Sequence, residues 1–185
     1  VSEGAGLVLG GAHNAVRDCV IAFSTGDGVT VFGAGNTVEN CVIHDCDTSG
    51  SDCAPITCVG PGHIIRGNTL FNGGRSILVH RFLRKGRIEH NHLYNSGLLT
   101  NDQGVTYTYG FADGQGTVIA YNLVHHNFGR APGNVGIYLD DGTRNHIVHH
   151  NLVYQVSEAL ALNPPTSQGN LVLNNTLDGF NCSIG

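Results

Sequence analysis

The side chains best suited to chemistry in this 185-residue chain fall between residues 80 and 163. Asp140 and Asp141 stand side by side, His80 and Arg81 form a second pair, and Thr108, Tyr109, Tyr138 and Asn163 recur at related positions. Two carboxyls about 6.5–9.5 Å apart cleave glycosidic bonds with inversion, and about 5–5.5 Å apart with retention. Asp140 and Asp141 are candidates for that pair, and Asp113 and Asp102, from loops of the preceding repeat, could supply a partner. A lyase instead needs a base near C5 of the sugar and a cation on its carboxylate. His80, Arg81 and Tyr109 could fill those roles, while the tyrosines are better platforms for sugar rings than acids or bases. Each assignment has a plainer rival. Asp140-Asp141-Gly142 also spells an ordinary strand-ending bend, and Arg81 could simply pair with an acid on a neighbouring repeat.

These residues ride on a strand phrase that recurs seven times: GLVLG, GVTVF, PITCV, SILVH, GVTYT, GIYLD and ALALN. Strict alternation puts two columns inside. One is Leu7, Val29, Ile56, Ile77, Val105, Ile137 and Leu160; the other is Leu9, Val31, Cys58, Val79, Tyr107, Leu139 and Leu162. The outward columns are then Phe32, Val59, His80, Thr108, Asp140, Asn163 and Thr30, Thr57, Leu78, Thr106, Tyr138, Ala161. In the middle repeats they turn from apolar or small to polar and ionisable. The two longest repeats insert LLTNDQ and NFGRAPGN beside this place, and such loops build the binding wall of a solenoid. A shallow groove of Tyr, Asp, His and Arg suits a polysaccharide. On this register His80 lies two repeats from Asp140, about 9 to 10 Å away, within reach of one bound sugar.

A second phrase runs in phase with the first: VRDCVI, VENCVI, IRGNTL, IEHNHL, IAYNLV, VHHNLV and VLNNTL. Its fourth residue forms the column Cys19, Cys41, Asn68, Asn91, Asn122, Asn151, Asn175, with irregular periods of 22 to 31 residues. Each repeat is too small to fold alone, so neighbours must stack as parallel strands. An Asn at a tight bend then bonds the backbone and the Asn of the next coil. The predicted fold is all-β: a single domain over residues 1–185, a single-stranded parallel β-helix of about seven coils.

This Asn-centred phrase resembles the right-handed parallel β-helix superfamily of pectate-lyase-like proteins, and the resemblance covers nearly the whole chain. It implies a polysaccharide-active protein, a hydrolase ahead of a lyase, in a secreted, periplasmic or cell-surface location. A non-catalytic carbohydrate-binding or adhesion module and a structural β-helix segment are the other readings. Of the motifs carried by polygalacturonases of this fold, only Asp140-Asp141 matches; Arg87-Ile88-Glu89 reverses the charge of another. The calcium-binding acids and Arg base of pectate lyases cannot be placed as a set, so calcium has no clear motif and no cofactor is assigned.

Composition agrees. Gly supplies 27 residues and charged residues only 12%, against long helices. The net charge of −5 and the lack of a basic stripe argue against nucleic acid, and no apolar run is long enough to span a membrane. Residues 6–11 enter the strand phrase halfway through a repeat, NCSIG begins another, and the chain has no Met; further coils of the same polypeptide are expected at both ends. Cys46 and Cys53 flank one loop and could close it as a disulfide, while Cys19, Cys41 and Cys58 read as buried thiols. Of eleven histidines, six, His90, His92, His125, His126, His149 and His150, lie within a residue or two of the Asn column. His44, Phe71, Tyr94, His125 and Tyr154 read as a ladder of flat side chains, which is preferred to a metal site because no carboxylate or Cys joins them at ligand spacing.

Overall fold

The computed structural model describes residues 4–129, 133–163 and 167–184. Part of the NFGRAPGN insertion and the last residue of NCSIG lie outside them, as does the Cys182 side chain. Short β-branched runs closed by Gly, Asn and Asp bends become short strands, and every strand pairing is parallel. Seven strands, Ala15–Arg17, Thr37–Glu39, Ile64–Arg66, Arg87–Glu89, Asp113–Ala120, Arg144–His149 and Leu171–Leu173, form one sheet, one strand from each repeat. The strand phrase forms a second face, from Leu7–Leu9 through Gln103–Thr108 and Asn134–Leu139 to Leu152–Leu162. That last strand is long enough to join this face to a third, which runs back through Leu123–Asn127 and His92–Ser96 to Val20–Ala22. The result is a parallel β-solenoid, as expected, but of about five turns rather than about seven coils.

The residue before the Asn column takes a left-handed bend: Asp18, Asn40, Gly67, His90, Tyr121, His150 and Asn174 all have φ between 50° and 65°. That conformation suits Gly, Asn and Asp and disfavours Tyr, so the bend is held by the hydrogen bonds of the column residue beside it. Asn122 shows how. Its Oδ1 accepts from the backbone N–H and side-chain amide of Asn91, both at 3.0 Å. Its own amide donates to Ile88 O at 2.9 Å and Asn151 Oδ1 at 3.0 Å. The same pattern runs from Asn68 to Asn175. Removing one buried rung orphans groups on both neighbours, each costing about 1–3 kcal/mol. Asn122→Ala is therefore expected to lower unfolding stability by ~3 kcal/mol or more in urea titration; a loss under ~1 kcal/mol would mean the ladder is ornamental.

The flat-ring ladder is also present. His44 stacks on Phe71 at 4.7 Å, Phe71 on Tyr94 at 4.9 Å, Tyr94 on His125 at 5.1 Å and His125 on Tyr154 at 4.8 Å, the spacing that parallel strands impose.

The core is one apolar column system containing Val29, Ile56, Leu78, Ile137 and Leu160. Here the structure corrects the expected register. Ile56 pairs with Leu78, Leu78 with Thr106 and Thr106 with Ile137, one residue off the phrase-by-phrase alignment at two of the three steps. Because side chains alternate, a one-residue slip exchanges inside and outside. Val79 and Tyr107 face outward beside Thr57 and Tyr138, whereas Leu78 joins the core, in which Ile77 and Val105 lie as expected.

The expected Cys46–Cys53 disulfide is absent, and both residues are free thiols. Cys46 turns into the core instead, within the cluster that holds Ile43 and Val29. Burial pushes its thiol up to about 11, and that of Cys58 up to about 12, so neither is a ready nucleophile or metal ligand at neutral pH.

Candidate functional site

The register slip rearranges the expected groove. His80 and Thr108, placed outside by the sequence, are fully buried and face the interior one position past outward Val79 and Tyr107. Tyr107, placed inside, is the centre of the outer cluster. Its ring stacks on Tyr138 at 5.3 Å and on Tyr109 at 4.9 Å, and the Arg81 guanidinium caps Tyr109 at 4.6 Å from the ring centroid. Phe82 also meets that guanidinium, at 4.9 Å. The rings cover one another, leaving Tyr107 only 5% and Tyr138 9% exposed. They are a wall rather than a set of open platforms.

Asp140 lies at the base of this wall, where the Asn134–Leu139 strand ends. It is nearly buried, and its two oxygens accept from the Tyr107 hydroxyl at 2.9 Å, the Asn163 amide at 2.5 Å and the Asp141 backbone N–H at 2.8 Å. Burial, reinforced by the Asp140 charge and hydrogen bond, pushes the phenols of Tyr107 and Tyr138 well above the usual tyrosine range, so they stay protonated as donors. Asp102, in the inserted loop, adds a smaller upward push to both phenols. Arg75 ties that loop down. It donates to Asp102 O at 2.8 Å, pairs with Asp52, and reaches the Tyr107 ring at 5.8 Å. Asp52, Arg75, Ser76, Val79, Tyr107 and Tyr109 line a crevice beside this cluster that is too tight to admit a water molecule.

This solenoid of stacked parallel strands with an Asn ladder matches a known family: the model of the right handed beta helix region covers residues 2–153. The chain belongs to that family. An alginate lyase from Paenibacillus sp. str. FPU-7 is similar to this β-helix with a TM-score of 0.43 and 13% identity, covering 86% of this chain and 79% of that one. A likeness at that level bears on neither substrate nor catalytic residues. No curated protein matches the chain.

Of the remaining candidates in the β-helix, Asp141 is exposed at the turn with φ 46°, and its carbonyl accepts from Phe111 N. It does not share the Asp140 pocket. Asp113 is engaged elsewhere: Asn145 donates to it at 2.9 Å and Arg144 lies 3.3 Å away, and these bonds, Asn145 first, hold its carboxyl below the usual range. Asn163, Tyr138, Tyr109 and Arg81 do join the cluster. Arg75 and Asp52 escaped the sequence reading because they come from loops outside both phrases. Among the described residues no group of three or more His, Cys, Asp or Glu is arranged to hold a metal ion, and no helix is long and apolar enough to cross a membrane.

The buried histidines make stability pH-dependent. Burial lowers His80, and the nearby His146 lowers it further. Burial holds His146 at about 4, against smaller upward effects from Asn170, Arg144 and Asp113. A histidine depressed in the folded state is protonated first in the unfolded chain, whose value is about 6.5. Stability should thus be intact above that pH and fall below it until the folded-state group titrates near 4. The loss should reach ~3 kcal/mol from His146 alone. Urea midpoints at about pH 7.5, 6 and 5 check this; a flat profile would mean that the rings are not buried neutral.

Proposed function

We propose that this β-helix acts on a polysaccharide as a glycoside hydrolase, with Asp140 and Asp102 as the carboxyl pair around Tyr107. The observation that carries the reading is the convergence of the Tyr107 hydroxyl, the Asn163 amide and a backbone N–H on one nearly buried carboxylate behind the outer tyrosine cluster. The donors around Asp140 hold it as an ionised, fixed acceptor, while Asp102 is exposed and faces the Arg75 guanidinium at 3.8 Å. Tyr109, Tyr138, Asn163 and Arg81 form the wall on which the sugar chain is held.

A lyase is the second reading, favoured by the Arg81 guanidinium against the tyrosine wall, which suits a sugar carboxylate. The test is a screen of the purified chain against neutral and acidic polysaccharides, following new reducing ends and the ultraviolet absorbance of unsaturated products. Reducing ends without absorbance support hydrolysis, and absorbance supports elimination. Binding without either product leaves a carbohydrate-binding module on the same surface and sinks the catalytic reading. We place the protein outside the cytoplasm, where such polymers are met.

A further inference from the structure

Beneath the outer cluster, the interior of the fourth to sixth repeats carries buried polar side chains without partners on the protein. His80 is 0% exposed and His146 is likewise buried; none of the four ring nitrogens makes a well-formed hydrogen bond to the protein, although Asn170 and the Arg144 backbone lie near the His146 ring. Asn170 is close to His146, but its Oδ1 takes the backbone N–H at 3.0 Å. The hydroxyls of Thr108 and Thr143 are also buried and unpartnered. The two imidazoles belong to strands two repeats apart, yet they meet edge to face with centroids 5.9 Å apart. The intervening repeat makes room for this. Thr108 occupies the position level with His80, and Gly114 leaves free the volume that a Cβ would take 2.8 Å from His146 Nε2.

A neutral imidazole carries one N–H and one lone pair, and a hydroxyl both donates and accepts. Two rings and two hydroxyls therefore require a ligand that does both. A metal dication offers no acceptor, and its charge would be uncompensated, because the one carboxylate felt by His146, Asp113, is already held by Asn145 and Arg144. An apolar occupant would leave every group unmet. Water donates twice, accepts twice and adds no charge, and buried waters occupy such polar sites in other proteins.

We propose that the solenoid interior holds an internal water site bridging His80 and His146, with the Thr108 and Thr143 hydroxyls as further anchors. It forms a hydrated plug in the core beneath the crevice and does not depend on the protein's being an enzyme. Through Thr143, whose N–H donates to Asp140 O at 3.2 Å, it also supports the turn that carries the candidate carboxylate.

The test pairs density with isosteric exchange. A high-resolution crystal structure at neutral pH should show one or more peaks about 2.6–3.2 Å from a ring nitrogen of each histidine. Thr108→Val and Thr143→Val should each lower the folded-to-unfolded ratio about fivefold, the effect of removing one made hydrogen bond. If the hydroxyls are unpartnered, the same exchanges leave stability unchanged or raise it, and the proposal fails. It fails equally if the density is dry with the rings bonded to protein groups, or if elemental analysis finds stoichiometric metal.

Discussion

Ile137→Asp should yield a chain without a cooperative melting transition. Ile137 is fully buried and belongs to the core cluster, in register with Thr106 on one side and Leu160 on the other. An ionised carboxylate at that point meets no cation, and burying an unpaired charge costs several kcal/mol after relaxation. A domain's whole stability is about 5–15 kcal/mol. The position matters as much as the charge. In a solenoid each repeat is held only by its neighbours, so a defect in an interior repeat disconnects both flanks, whereas one in a terminal repeat frays an end. Ile137→Val, which keeps shape and polarity, should cost only ~1 kcal/mol. Circular dichroism melts of both variants decide the matter: a soluble Asp variant with a sharp transition would show that this column is not the core.

The same geometry made some features legible in the sequence and hid others. The Asn column was legible because each repeat places one residue type at one fixed offset, and the bond it makes is to its own counterpart in the next coil. The ring ladder from His44 to Tyr154 was legible for the same reason. The register of the other face was not. In the fourth repeat Ile77, Leu78 and Val79 are three apolar residues in succession, which erase the alternation that distinguishes inside from outside. In the fifth, Thr106, Tyr107 and Thr108 are all compatible with either face. Loops of unequal length then let the strands pair one residue off the phrase, and a single step turned His80 and Thr108 into the core and Tyr107 out of it. One signal was available: aligning Tyr107 with Tyr138 brings like aromatics into one column, and that is the pairing the structure adopts. The Arg75–Asp52 contact could not have been read at all, since it joins two loops of different repeats.

Asp140→Asn is expected to reduce turnover about 100-fold or more, the scale of a lost acid–base group, while substrate still binds. The exchange keeps the shape of the side chain and leaves the wall of Tyr138, Tyr107, Tyr109 and Arg81 in place. It turns one acceptor oxygen into a donor, facing either the Asn163 amide or the Tyr107 hydroxyl. Two companions separate chemistry from structure. Asp141→Asn alters an exposed left-handed turn residue, a conformation that Asn tolerates, and should be nearly silent. Asp102→Asn removes the second carboxyl and its 3.8 Å ion pair with Arg75, leaves the Asp102 carbonyl that Arg75 also holds, and should be as damaging to turnover as Asp140→Asn if the two act as a pair. Steady-state rates on the polymer found in the screen, with melting curves for each variant, test this. Full activity in Asp140→Asn with an unchanged melt would remove Asp140 from the chemistry. Loss in Asp140→Asn with Asp102→Asn unaffected would leave Asp140 acting without Asp102, and the carboxyl-pair mechanism would have to be given up.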